Sequence, residues 1–136
     1  MDLEKLDEVR LMQPAVLAFM GDAVFELFIR ERLIRHHMGT SHQLHIYATH
    51  YVKASRQAKI ARSLQSSLTE DEAIIFRRGR NAKSTTIPKN AEIRDYRYAT
   101  AFEALLGYLY LTDQQERLHS MMEQAAIIID SDAESH

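Results

Sequence analysis

Apolar residues recur along this chain at helical spacing, not at the period of two that marks a strand. From Pro14 to His36 the apolar residues Val16, Leu17, Phe19, Met20, Val24, Phe25, Leu27, Phe28 and Ile29 cover almost the whole circumference. That pattern predicts a helix buried on every side. Pro14 suits its first turn, where a missing N–H goes unused, and Gly39 suits its stop. Thr40-Ser-His-Gln43 has the form of a capping box. It opens a second helix, predicted to about Ser66, with Leu44, Tyr47, Ala48, Tyr51, Ala54, Ala58 and Ala61 at helical positions. Thr69-Glu-Asp-Glu72 is another such box and predicts a third helix to about Arg78. Gly79, Pro88 and the Ser/Thr cluster between them predict a loop over 77–90. A helix over about 92–111 follows, then one capped at Thr112 and running to about Ile129. A short lead-in helix in 1–10 and a frayed acidic tail from Asp130 complete the reading. The predicted fold is all-α, one domain over 1–136.

Two acids break the pattern. Asp22 stands in the middle of the most apolar helix, beside Gly21, which lowers helix stability by roughly 1 kcal/mol relative to Ala. Glu103 stands inside the apolar run Ala99–Leu111, with Gly107 one turn further on. A buried carboxylate must be protonated, paired or metal-bound. Glycines beside both acids would let the two helices approach closely there. Converging carboxylates raise each other's pKa unless a cation lies between them. Mg²⁺ suits such a site, since it takes oxygen ligands, retains waters and activates them against phosphoryl groups. Asp22 and Glu103 are therefore the predicted metal-binding and catalytic pair. Structural ion pairs to a neighbouring Arg or Tyr are the plainer alternative.

Composition narrows the class. The chain has 136 residues and is 46% apolar and 26% charged, as ordinary globular proteins are. It has no cysteine, which excludes disulfides, thiolate zinc sites and cysteine nucleophiles. The charged N-terminus does not resemble a signal peptide. The run Ala15–Ile29 is too short to span a membrane and carries Asp22 and Glu26. A cytoplasmic location without membrane attachment is expected. The net charge of −2 hides an asymmetry: residues 53–97 hold eleven Lys/Arg and five Asp/Glu, a net of +6, against −8 elsewhere. One face is thus suited to a polyanion. Arg77, Arg78, Arg80 and Lys83 on the predicted loop, with Asn81, are candidate RNA contacts, and the row Lys53, Arg56, Lys59, Arg62 extends them. His42, His45 and His50 lack the carboxylates that would complete a zinc set. Tyr96, Tyr98, Tyr108 and Tyr110 suit packing better than base stacking. Asp95 and Glu26 are candidates for groups just behind the acid pair.

The segment Leu17-Ala-Phe-Met-Gly-Asp-Ala-Val-Phe-Glu26 resembles the signature of the ribonuclease III endonuclease domain. Phe102-Glu-Ala-Leu-Leu-Gly-Tyr-Leu-Tyr110 resembles that family's second acidic motif. With Arg78-Gly-Arg-Asn-Ala-Lys83 between them, the chain is most similar to the branch that lacks a double-stranded RNA-binding domain. The resemblance implies a homodimeric, Mg²⁺-dependent endoribonuclease cutting double-stranded RNA to 5′-phosphate and 3′-hydroxyl ends. It implies metal ligation and catalysis at Asp22 and Glu103, and packing of Phe19 into the partner copy. The implied substrate is the precursor of the large-subunit (23S) ribosomal RNA, matured at both ends, with a ribosomal protein or the pre-ribosomal large subunit as a further partner. Full-length members carry acids where this chain has Ala18 and Thr100. That departure keeps a second reading open: a catalytically weakened module that binds RNA in ribosome assembly. A plain helical dimerisation protein is the third.

Overall fold

Two helices in backbone contact organise the fold. The computed structural model describes residues 2–36, 39–83 and 92–134. It contains α1 (Leu3–Arg10), α2 (Pro14–His36), α3 (Ser41–Val52), α4 (Ala54–Leu64), α5 (Glu70–Asn81), α6 (Ile93–Leu111) and α7 (Gln115–Glu134), with a 3₁₀ turn over Gln65–Ser67. No strand occurs among the described residues. α6 is the central post: α2, α4 and α5 pack against it lengthwise, α3 leans on α2, and α7 closes one side.

The helix buried on every side is α6, not α2. Ala101, Phe102, Ala104, Leu105, Leu106 and Leu109 are all fully buried. α2 instead buries one stripe, Leu17, Gly21, Phe25, Ile29 and Leu33, spaced four residues apart. Its opposite side leaves Val16 51%, Phe19 80%, Leu27 70% and Ile34 61% exposed. The circumferential apolar pattern is real, but one half of it faces away from this chain's own core.

Glycines make the α2–α6 contact possible. A β-carbon on Gly21 would overlap the carbonyl oxygen of Glu103, and one on Gly107 would overlap the carbonyl oxygen of Leu17. Each helix thus seats its glycine against the other's backbone. Phe25 and Phe102 meet edge to face beside this crossing, centroids 5.1 Å apart, a geometry worth about 0.5–1.5 kcal/mol beyond burial.

Four local expectations change. The second predicted helix is two, because Lys53 is extended (φ −60°, ψ 144°) between α3 and α4. The bend lets α3 follow α2 while α4 turns onto α6. Both threonine capping boxes, Thr40/Gln43 and Thr69/Glu72, are formed. The predicted loop does not begin at Arg77: residues 77–81 are the last turn of α5. Gly79 is buried there, and a β-carbon on it would stand 2.8 Å from the Cα of Ala101. It is a packing glycine, not a breaker; the remainder of that predicted loop, residues 84–90, lies outside the described residues. Thr112 closes α6 instead of opening α7, its hydroxyl donating to the carbonyl of Tyr108 at 2.7 Å. Finally, α7 continues past Ile129 to Glu134. Asp130 pairs with Arg32 and accepts from the Tyr51 hydroxyl, and Asp132 pairs with Arg56 and Lys59.

Candidate active site

The crossing of α2 and α6 carries the two acids to one place. Asp22 follows Gly21 on α2, and Glu103 is the residue whose carbonyl Gly21 touches. Both side chains line one open groove of about 410 Å³, together with Ala18, Phe19, Gln57, Tyr96 and Thr100. The expected convergence is therefore present, but the expected full burial is not. Asp22 is exposed and Glu103 is half-buried, so the pair opens to solvent and not into the core.

The electrostatics of the groove follow from that geometry. Burial pushes the Glu103 carboxyl up to about 9, helped by a hydrogen bond to Asp22 and by repulsion from its charge. The Gln57 side chain acts the other way and favours the ionised form. Gln57 is only 3% exposed and sits on α4. Sequence reading missed it, although the signal was visible: a polar side chain on the stripe shared with Ala61 and Leu64. No described arginine forms an ion pair with Asp22 or Glu103. Asp95 and Glu26 are engaged elsewhere, with Arg62 and Arg30.

Two carboxylates facing one another with a carboxamide beside them form an oxygen-rich donor set that fits a hard divalent cation. No group of three or more His, Asp or Glu side chains placed to hold a metal ion occurs among the described residues. Ala18 and Thr100, the two positions where acids are missing, both line the groove. Thr100 spends its hydroxyl on the carbonyl of Tyr96, at 2.9 Å.

The basic candidates separate into groups. Lys53 is exposed at the α3–α4 bend, between the groove-lining residues Val52 and Ala54. Arg56 and Lys59 face Asp132, and Arg62 pairs with Asp95 while stacking over Tyr98. The predicted basic row is thus largely met by acids. Arg78 is also committed within the chain: it donates to the carbonyls of Arg10 and, at 2.8 Å, Met12. It ties the α1–α2 turn to α5. Arg77, Asn81 and Lys83 are exposed, and Arg80 is half-buried. His42 and His45 are exposed surface residues on α3.

The Ribonuclease III domain family matches residues 15–114 of this all-helical chain. A protein from Fusobacterium nucleatum of known structure superposes with a TM-score of 0.80 at 30% identity, covering 92% of this chain and 98% of that one. "Mini-ribonuclease 3" of Brevibacillus brevis is 46% identical over 123 residues, 90% of this chain and 92% of its own length. "Mini-ribonuclease 3" of Staphylococcus aureus is 36% identical over 131 residues, 95% of this chain and 98% of its own. The chain belongs to the ribonuclease III family, in its mini-ribonuclease III branch.

Proposed function

We propose that this protein is a homodimeric, Mg²⁺-dependent endoribonuclease that cleaves double-stranded RNA. The observation that carries this reading is the Asp22–Glu103 pair, brought together by Gly21 and lining an open groove. When bound there, Mg²⁺ supplies Lewis-acid polarisation of a phosphodiester and a more acidic attacking water. The chain's own residues prepare the place. Asp22 and Glu103 would hold the ion, and Gln57 steadies Glu103 in its ionised form. Ala18 and Thr100 line the groove beside the acids, where a ribose-phosphate backbone would pass. Lys53 at one rim, with Arg77, Arg80, Asn81 and Lys83 on the α5 end, would meet flanking phosphates and 2′-hydroxyls, the features by which A-form RNA is recognised.

The exposed apolar stripe of α2 supports pairing of two copies. Val16, Phe19, Leu27 and Ile34 lie along one side of one helix, and a self-complementary stripe suits a two-fold interface. Phe19 belongs both to this stripe and to the groove wall. Pairing through α2 therefore sets each groove at the interface edge, where two sites can address the two strands of one duplex.

Precursor large-subunit ribosomal RNA in the cytoplasm is the proposed substrate, presented as naked duplex or with a ribosomal protein. Mapping the 5′ and 3′ ends of 23S RNA in cells depleted of the protein tests this: both ends should be extended. Cleavage of a labelled RNA duplex with Mg²⁺ or EDTA tests the reaction. Binding without cleavage in Mg²⁺ would favour the RNA-binding module that Ala18 and Thr100 leave open.

A further inference from the structure

We infer that the cleft between the end of α5 and the start of α6 is a dedicated site for the RNA phosphate backbone, built from Arg80, Arg94 and Arg97. This rests on the reading of the protein as a double-stranded RNA enzyme and adds α6 residues that neither the acid groove nor the basic loop had called for.

The cleft is an open concavity of about 350 Å³, lined by Arg80 and Asn81 from α5 and by Ile93, Arg94, Arg97 and Tyr98 from α6. Three arginines thus line one concavity that, among the described residues, no carboxylate lines. The rest of the molecule treats its arginines differently. Those of α1, α2, α4 and α7 are met by Asp or Glu, and Arg78 by backbone carbonyls. Among the described residues, Arg77, Arg80, Arg94 and Arg97 have no acidic partner. The nearest acid in the sequence, Asp95, is turned to Arg62, which also covers Tyr98. That arrangement leaves the cleft uniformly positive.

The placement also costs the fold something. Arg94 and Arg97 sit in the first turns of α6, where the helix dipole favours acids over cations. Like charges held together without counter-charge repel. A local rule broken at a concave, uniformly charged spot points to binding and not to stability. Arginine suits the task, because its planar fork matches phosphate oxygens in pairs.

The cleft's position relates it to the acid pair. Tyr96, Thr100 and Glu103 form the groove-facing side of α6, whereas Arg94, Arg97 and Tyr98 face α5. Arg97 precedes Glu103 by six residues, about 9 Å along the helix axis. A duplex with one phosphate at Asp22 and Glu103 runs its neighbouring phosphates past this cleft. The arginines would then fix the register of the strand against the acids.

The test is duplex binding by an Arg94→Gln/Arg97→Gln variant, measured in EDTA so that no cleavage intervenes, from low to moderate salt. The expected affinity loss is roughly tenfold or more, and the slope of log affinity against log salt becomes shallower by about 2. A Lys5→Gln/Arg35→Gln variant removes the same net charge elsewhere and should keep the parental slope. Equal slopes for the parent and the Arg94→Gln/Arg97→Gln variant, with the parent binding duplex normally, would overturn the cleft alone. A parent with no affinity for duplex RNA would overturn the enzyme reading and the cleft together.

Discussion

Gly21 lies directly against the carbonyl of Glu103, so that any side chain there would occupy the space of that oxygen. The same contact that makes the two helices touch sets the side chain of Asp22, the next residue, beside the side chain of Glu103. Fold and site are one feature at this point. Gly21→Ala should cost about 3 kcal/mol by overpacking and lower the melting temperature by roughly 10 °C. Gly39→Ala is the contrasting case, because its new β-carbon meets side-chain atoms of Gln43 and no backbone, so it should cost no more than the Gln43 half of that capping box, about 1 kcal/mol. Thermal unfolding of the two variants checks both.

Mg²⁺ should stabilise the parent protein, because a ligand bound only by the folded state raises its melting temperature. The gain should be absent in Asp22→Asn. A parental melting temperature indifferent to millimolar Mg²⁺ would leave the acid pair without its proposed ion.

Glu72 gives the stability a defined acid limb. Burial alone would raise its pKa, but hydrogen bonds from Arg117 and from Thr69 outweigh that and hold it below the ordinary carboxylate value. The folded state therefore binds this proton more weakly than the unfolded chain. The resulting stability is present above the usual glutamate range and is lost as pH falls through the lowered value. Arg117→Met should cost about 2 kcal/mol near neutral pH, since it strands a carboxylate that is almost wholly buried. The difference between parent and variant should shrink as pH falls through the ordinary glutamate range and be smallest only below the parent's lowered value, where Glu72 is protonated in both. Denaturant unfolding at several pH values reads this directly.

Arg78 and Arg80, two residues apart, should fail in different ways. Arg78→Ala removes two hydrogen bonds to the α1–α2 turn and should cost about 1–3 kcal/mol of stability. Arg80→Ala should leave the melting temperature nearly unchanged and weaken duplex binding. Melting curves and binding isotherms of the two single variants separate structural from RNA-facing arginine.

Phe19→Asp should convert a dimer to a monomer in analytical ultracentrifugation, since it places a charge on the most exposed aromatic of the α2 stripe. A parent that sediments as a monomer would contradict the proposed pairing.

Much of this was legible before the structure. Helical period, Pro14 and the two threonine boxes placed the helix starts, and two acids with adjacent glycines marked the crossing. What the sequence hid has physical causes. Periodicity registers that a face is apolar, not what covers it, so α2 read as buried when half of it is exposed. Gly79 read as a loop residue because a close helix contact demands the same residue as a break. The bend at Lys53 has no proline or glycine to announce it; packing of α3 and α4 on different helices imposes it. Arg94 and Arg97 were hidden because nothing in a row of charges tells which will lack a partner.

The central claim is that Asp22 and Glu103 form the cutting site, and the rate at which folded Asp22→Asn cleaves a labelled RNA duplex in Mg²⁺ tests it most directly. A fall of at least about a thousandfold, or about 4 kcal/mol in the barrier, with an unchanged helical spectrum, is the predicted result. Cleavage at the parental rate would contradict it.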